Sequence, residues 1–296
     1  MQTPHRALVL VASVSLSSTT ACSATDTSSF DGAGGGGGDA TTGTTSTSSS
    51  LGGFGQGGGQ GGGPALVAEV FGESPSDLYR LDPDTKQVSV VGSFSGCADV
   101  IDIALDKDSH LFGTTFDGLY AIDKTTAACS LIASGSYPNS LSFVPAGTVD
   151  PATEALVGYL GGDYVRIDPA TGSVSTIGQL DPSYAYESSG DIVSVKNGKT
   201  LLTVKGPSCS DCIVEVDPKT GAMTKNWGSL PDTDFFGLAF WAGTAYGFTN
   251  GGQLVEIGFA GNSIQTSPIA VPNPPAGLQF WGAGSTTSAP PDRVPD

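Results

Sequence analysis

Positive charge is scarce. Only 12 Lys and Arg stand against 29 Asp and Glu in 296 residues, a formal net charge of −17. Removal of the first 21 residues, which hold Arg6 and no acid, would bring it to −18. With no basic stripe, a nucleic-acid duplex or an acidic membrane surface would be repelled, so no nucleic-acid partner is expected. The same acidity fits a solubilising surface outside the cell. Histidine is nearly missing as well: of two, only His110 lies beyond the first 21 residues. That excludes a His-based catalytic triad or a multi-His metal site within one chain. Methionine, Lys and Glu are few, and no apolar stretch with helical period is long enough to predict a helix. What is abundant (Gly, Val, Thr, Tyr and Phe) favours strands and turns.

The apolar run Ala7 to Leu16 has ten residues and follows His5 and Arg6. It is too short to span a bilayer and suits the core of a signal peptide, residues 1–21. Thr19-Thr20-Ala21-Cys22 resembles the lipobox of bacterial lipoproteins, in which the Cys is lipidated and becomes the new N-terminus. Thr19 departs from the usual Leu. Ala21 equally ends an ordinary secretory cleavage site, so lipidation of Cys22 and plain secretion both stay open. Residues 22–64 are almost entirely Gly, Ser and Thr and are expected to be a disordered tether. Such a chain reaches about 35 Å, enough to hold a domain clear of a membrane. The expected address is the cell envelope, at the outer membrane or cell surface, with a lipid as the sole membrane contact.

The folded part, residues 65–284, is repetitive. Leu78-Tyr-Arg-Leu-Asp82, Leu119-Tyr-Ala-Ile-Asp123, Tyr164-Val-Arg-Ile-Asp168 and Ile213-Val-Glu-Val-Asp217 each lead into a Pro- or Lys-Thr turn, and Leu254-Val-Glu-Ile-Gly258 keeps the strand without the Asp. The intervals are 41, 45, 49 and 41 residues. Each segment alternates apolar and polar residues. Its Asp is set to accept main-chain N–H groups two or three residues on, Pro presets the turn, and Gly allows the left-handed residue that closes it. A period of roughly 40–45 residues is what one four-stranded propeller blade occupies.

The first repeat lacks an inner strand, and Gly277-Leu-Gln-Phe-Trp-Gly282 near the C-terminus copies Gly237-Leu-Ala-Phe-Trp-Ala242. Pairing Leu278–Trp281 with the Leu66–Val70 strand would close an all-β, five-bladed β-propeller. Six blades or an open array are the alternatives. Residues 285–296 are expected to be a disordered tail. Ala65 to Gly282 resembles the broad class of secreted bacterial β-propeller repeats of the YVTN or quinoprotein-like type, a resemblance that implies a fold and little about function.

Candidate chemistry is sparse. Asp106 and Asp108, near His110, lack the Gly and distal Glu of an EF-hand and are expected to form a hairpin turn. The Cys209-x-x-Cys212 motif has neither the helix start of a redox site nor a second CxxC for zinc, so an intrachain disulfide is expected. Cys97 and Cys129 make the count even, but a regular blade puts them at opposite rims, which leaves their pairing open. Asp217 to Trp227 approaches the quinoprotein tryptophan-docking pattern with the Trp two residues late, and is expected to be a turn and a packed Trp.

Loops that join the last strand of one blade to the first of the next share a face with the loops between second and third strands. They bring Asp99, Asp102, Tyr186, Glu187, Asp191, Asp232, Asp234 and Phe235 towards a candidate ligand-binding face. Carboxylates among aromatics could take a cation, a sugar or a basic peptide; equally, each Asp could cap its loop while the aromatics fill the space between blades. No catalytic residue, metal ligand or cofactor is assigned. The leading expectation is a non-enzymatic recognition or scaffold domain for an unknown envelope or extracellular ligand. The alternative is a carbohydrate- or lactone-acting enzyme using carboxylates and a divalent cation.

Overall fold

The repeated Asp turns form as their residue types dictate. In the computed structural model, which describes residues 68–231 and 234–292, Asp82 Oδ1 accepts the N–H groups of Asp84 and Thr85, both at 2.9 Å. Asp123 accepts from Thr125 at 2.8 Å and Thr126 at 3.2 Å. Asp168 and Asp217 do the same with Ala170 and Lys219, both at 2.8 Å. The left-handed position that closes each turn is glycine in two of them, Gly172 and Gly221, but Lys86 (φ 63°) and Ala127 (φ 58°) in the others. Turn geometry alone does not explain those two side chains. Ala127 is fully buried and Lys86 lies 4.4 Å over the Tyr246 ring, so packing between blades offsets the strain.

Each turn joins the third and fourth strands of an antiparallel four-stranded sheet. The first sheet contains β1 (Val70–Glu73), β2 (Asp77–Leu81) and β3 (Val88–Ser93). The second is β4 (Asp102–Leu105), β5 (Leu111–Thr114), β6 (Gly118–Ile122) and β7 (Cys129–Ser134). The third is β8 (Leu141–Val144), β9 (Ala155–Leu160), β10 (Asp163–Ile167) and β11 (Val174–Gln179). The fourth is β12 (Glu187–Ser194), β13 (Thr200–Gly206), β14 (Cys209–Val216) and β15 (Met223–Ser229). The fifth is β16 (Phe235–Trp241), β17 (Thr244–Thr249), β18 (Leu254–Ala260) and β19 (Ser263–Ile269). A last strand, β20 (Gly282–Ser285), completes the first sheet in the order β20-β1-β2-β3. The only helical turn among the described residues is a single 3₁₀ turn, Pro182–Tyr184, and none of their helices is long and apolar enough to cross a membrane.

Five hydrophobic clusters lie in the five gaps between neighbouring sheets. One joins the fifth sheet to the first through Phe248, Leu254, Val70 and Tyr79. The others fill the gaps from first to second, second to third, third to fourth and fourth to fifth. Every sheet is therefore buried on both sides, and the chain is a closed five-bladed β-propeller.

Closure occurs four residues further along than the sequence copy predicts. Gly282–Ser285 pairs with Val70–Glu73, Glu73 facing Gly282, while Leu278–Trp281 is irregular. Of that segment only the Trp281 N–H reaches the strand, donating to the Glu73 carbonyl at 2.7 Å, and Phe280 packs edge-on against Phe248 and Tyr79. Crowding at the axis is the reason. A Cβ on Gly282 would lie 2.4 Å from Asp102 Oδ1, and one on Gly284 would lie 2.9 Å from the Ile103 carbonyl. Gly-Ala-Gly-Ser fits this slot; Leu-Gln-Phe-Trp does not.

The expected disordered tail from residue 285 is likewise corrected for 285–292. Ser285 ends β20, and Thr286, Thr287 and Ala289 are buried. The strap crosses the end of the ring opposite the candidate face. Its Thr287 carbonyl accepts from Lys196 N at 2.9 Å, its Pro290 carbonyl accepts from Ala242 N at 2.8 Å, and its Thr287 hydroxyl bonds Glu154. The strap so ties down turns of the third, fourth and fifth blades. The expected leader, Cys22 and the tether lie outside the described residues.

Both disulfides are present. Cys209–Cys212 pins the loop at the start of β14, and Cys97–Cys129 links the loop between the first two blades to β7, with Cα atoms 5.6 Å apart. The latter pairing arises because the loop does not stay at its rim: Ser95 runs beside the start of β7, accepting from Cys129 N at 2.7 Å and donating to the Ala127 carbonyl at 3.2 Å.

Candidate functional site

The expected face is divided by burial. Asp99, Glu187 and Asp234 are exposed, on three separate junctions between blades, and Asp232 lies outside the described residues. The aromatics mostly fill space. Phe235 is fully buried in the gap between the fourth and fifth blades. Tyr137 donates its hydroxyl to the Gly172 carbonyl at 2.9 Å. Tyr186 stacks on Tyr184 at 5.7 Å and its hydroxyl accepts from Asn226 Nδ2 at 3.1 Å. Exposed apolar area on this side includes Phe116 on the β5–β6 turn, which was not singled out from sequence, and Tyr184 on the 3₁₀ turn, 69% and 50% exposed.

Asp102 and Asp191 are the two predicted residues that the fold does bring together. Both lie on inner strands, Asp102 at the start of β4 in the second blade and Asp191 within β12 in the fourth, where the register with β13 breaks, and both are fully buried. They repeat one device. Asp102 accepts Ile103 N at 2.8 Å and, across the gap, Leu141 N of the third blade at 2.5 Å. Asp191 accepts Ile192 N at 2.6 Å and Leu238 N of the fifth blade at 2.6 Å. Each carboxyl thus ties its own strand to the next blade's inner strand. The two carboxyls lie close enough for each to shift the other's titration, and Leu141 N favours the charged form of Asp191.

A third acid, Glu73, completes the group and was not singled out from sequence. It ends β1, the second strand of its blade, with the side chain fully buried. Its partner across the ladder is Gly282, which has no side chain to block the way to the axis. A Cβ at Gly282 would sit 2.4 Å from Asp102 Oδ1 and 2.5 Å from Glu73 Oε1, so both carboxylates flank the same point. The signal lay in the repeat: Phe71-Gly72-Glu73 aligns with Phe112-Gly113-Thr114 and Tyr246-Gly247-Phe248, and an acid replaces a Thr or Phe.

Burial, first, pushes the Glu73 carboxyl well above its usual range, and the nearby Asp191 adds to it. Asp102 rises by burial and then by the proximity of Asp191 and Glu73; Asp191 rises by burial against its main-chain hydrogen bonds. Asp211, at the same side of the fourth blade, is raised to about 6 by burial, although Ser189 Oγ donates to it at 2.7 Å and Phe235 N at 3.1 Å.

Other groups carry less. Asp106, Asp108 and His110 cluster on the β4–β5 turn, where Asp106 Oδ1 accepts the N–H groups of Asp108 and His110. This is the expected hairpin turn. Trp227 packs in the gap between the fourth and fifth blades, its Nε1 donating to Glu215 at 3.1 Å. A groove of about 280 Å³ on the strap side, between the third and fourth blades, is lined by Thr148, Ser194, Lys196, Asn197 and Glu215. Its one acid, Glu215, is already engaged by Lys199 and Trp227.

No family model and no curated protein matches the chain. Solved structures resemble it in fold. A protein of unknown function from Bacteroides caccae is 15% identical, with 72% of this chain and 76% of that chain covered at a TM-score of 0.41. A nidogen/laminin complex is 11% identical over 74% and 81%, at 0.46. The PQQ-bound aldose sugar dehydrogenase of Streptomyces coelicolor is 13% identical over 66% and 75%, at 0.37.

Proposed function

We propose that the chain is exported, held at the cell envelope through Cys22 and its tether, and uses the propeller as a recognition or scaffold domain. The observation that carries the non-enzymatic part is the fate of the expected carboxylates. The pair that converges, Asp102 and Asp191, is sealed from solvent and spends its oxygens on main-chain N–H groups of neighbouring blades. The acids that face solvent, Asp99, Glu187 and Asp234, stand on separate junctions. An acid–base pair for glycoside or lactone chemistry needs two carboxyls flanking an accessible substrate. The exposed face supplies aromatic Phe116 and Tyr184 with scattered acids, a composition suited to binding. Two disulfides agree with an oxidising compartment.

Photo-crosslinking in cells tests the binding role. A photoreactive residue at Phe116 or Tyr184 is expected to trap one discrete partner, and the same residue at Val90 or Leu131, exposed on outermost strands, to trap none. Equal trapping at all four positions, or none at any, would refute it. Mass spectrometry of the mature N-terminus tests the anchor: a diacylglyceryl-modified Cys22 is expected, and release of the protein from membranes by Cys22→Ser. An unmodified N-terminus near residue 22 would assign the chain to plain secretion.

A further inference from the structure

Three acids closed inside the ring have no cation beside them: among the described residues, no salt bridge reaches Glu73, Asp102 or Asp191. Asp102 and Asp191 each take a main-chain N–H on both oxygens, bonds that favour their charged forms. Glu73 has no such help. Both its oxygens are buried without a hydrogen-bond partner, so no donor in the folded ring holds its charge. The strands around it offer none either. β8, β16 and β20 carry no titratable side chain, β4 brings Asp102, and β12 brings Asp191 with Glu187 at its exposed start. On β2, Asp77 is taken by the hydroxyls of Ser76 and Ser93, both at 2.6 Å, and Arg80 pairs with Glu69 at 3.0 Å. On β17, the Tyr246 hydroxyl accepts from Lys86 at 3.0 Å.

We propose that Glu73 is a pH-sensitive latch on the closure of the ring: β20 stays paired with β1 while the Glu73 carboxyl is neutral, and parts from it when that carboxyl ionises. The residue stands where the closing strand enters the sheet. It faces Gly282 across the ladder, and its carbonyl accepts the Trp281 N–H at 2.7 Å. A Cβ on Gly282 would lie 2.4 Å from Asp102 Oδ1 and 2.5 Å from Glu73 Oε1, so two carboxyls crowd one residue of β20. An ionised Glu73 would sit there without water or cation, repelled by Asp102 and Asp191 in a medium that screens poorly. The strand that gives way is β20. Chain turns join the strands within the other blades, whereas β20 meets β1 across more than two hundred residues of sequence and is held to it by hydrogen bonds and packing. Its departure lets water reach the carboxylate.

The direction of the effect follows from the folded and open states. Burial, with Asp191 adding to it, holds the Glu73 carboxyl well above 4.5 in the closed ring, and opening returns it towards that value. Closure is therefore at full strength below about 4.5, weakens as pH rises, and loses this contribution as pH passes the raised value. Between the two values each pH unit favours the open form about tenfold, with one proton released to solvent. Asp211, raised to about 6, has given up its own proton above that range. The latch works whatever the outer face binds.

The test is amide hydrogen exchange on the mature full-length chain from pH 7 to 8.5, read as protection factors so that the intrinsic pH dependence of exchange drops out. In the wild type, the amides of Val70–Glu73 and Gly282–Ser285 are expected to lose protection about tenfold per pH unit, while Ala155–Leu160 of the third blade holds its protection. Glu73→Gln keeps the size and cannot ionise. Its loss of protection should be shallower by about tenfold per unit, leaving β1 better protected than in the wild type at pH 8.5. Asp108→Asn, on the exposed β4–β5 turn, should follow the wild type. Protection at β1 and β20 that does not change with pH would overturn the latch, as would an unaltered slope in Glu73→Gln. Equal loss at Ala155–Leu160 would overturn it too, since the whole domain, and not its closing strand, would then be opening.

Discussion

Single residues in this ring answer to two environments at once, the turn or strand that holds them and the neighbouring blade they touch. Asp211 is an example with a measurable consequence. Burial holds its carboxyl at about 6 in the folded chain against 3.8 for the free group, so its contribution to stability is complete below about 3.8 and is lost as pH rises through about 6. Asp211→Asn is therefore expected to become more stable relative to wild type as pH is raised from 4 to 7.5, read as a widening difference in melting temperature. A difference that is flat or narrows with pH would contradict the assignment. The four turn aspartates were legible in sequence because their bonds are local, reaching only two or three residues on. Glu73 was not, because what makes it unusual is a glycine more than two hundred positions away. Repeat grammar records which residues share a strand; it is silent on which strands share an axis.

At the scale of strands, the instructive element is the one that closes the ring. The resemblance of Leu278–Trp281 to Leu238–Trp241 pointed to the right partner and the right topology, yet the strand formed four residues later. Apolar pattern predicts a buried strand well when its faces meet side chains, but the innermost strand meets main chain on either side, and there the selecting property is smallness. The copied segment found a different use: Phe280 is fully buried between blades, so Phe280→Ala is expected to cost about 3–5 kcal/mol in denaturant unfolding. Ending the chain after Trp281 removes β20 and the strap, and should abolish the cooperative unfolding transition; ending it after Asp292 should leave the transition unchanged. Cooperative melting of the shorter chain would mean that closure adds little.

For the whole molecule, the cross-links matter in proportion to the chain they enclose. Cys97–Cys129 spans 32 residues and fastens a loop of one blade to the outer strand of the next, whereas Cys209–Cys212 spans 3 within one strand end. In the chain-entropy account, removing the first by Cys97→Ser with Cys129→Ser should cost about 3–4 kcal/mol in guanidinium unfolding. The double change at Cys209 and Cys212 should cost much less. Equal losses would show that local geometry, rather than loop length, sets their worth. The repeat spacing pointed to propeller blades, and the missing first inner strand with its C-terminal copy pointed to a closed ring of five, since each blade repeats the same local grammar. The Cys97–Cys129 disulfide was left open because its loop departs from that grammar, and the acidic axis was read in part: Asp102 and Asp191 were singled out but Glu73 was not, because no single repeat contains all three.

The seal of this ring comes from residues more than two hundred positions after the strand they complete. Until Gly282–Ser285 is in place, the hydrogen-bonding edge of β1 has no permanent neighbour, and the first blade stays one strand short beside four finished ones. An unpaired edge of this kind is an invitation to pair with another molecule. A chain of this design therefore depends on being kept apart from its own copies while it folds, and its yield should be governed by how quickly the closing strand reaches β1.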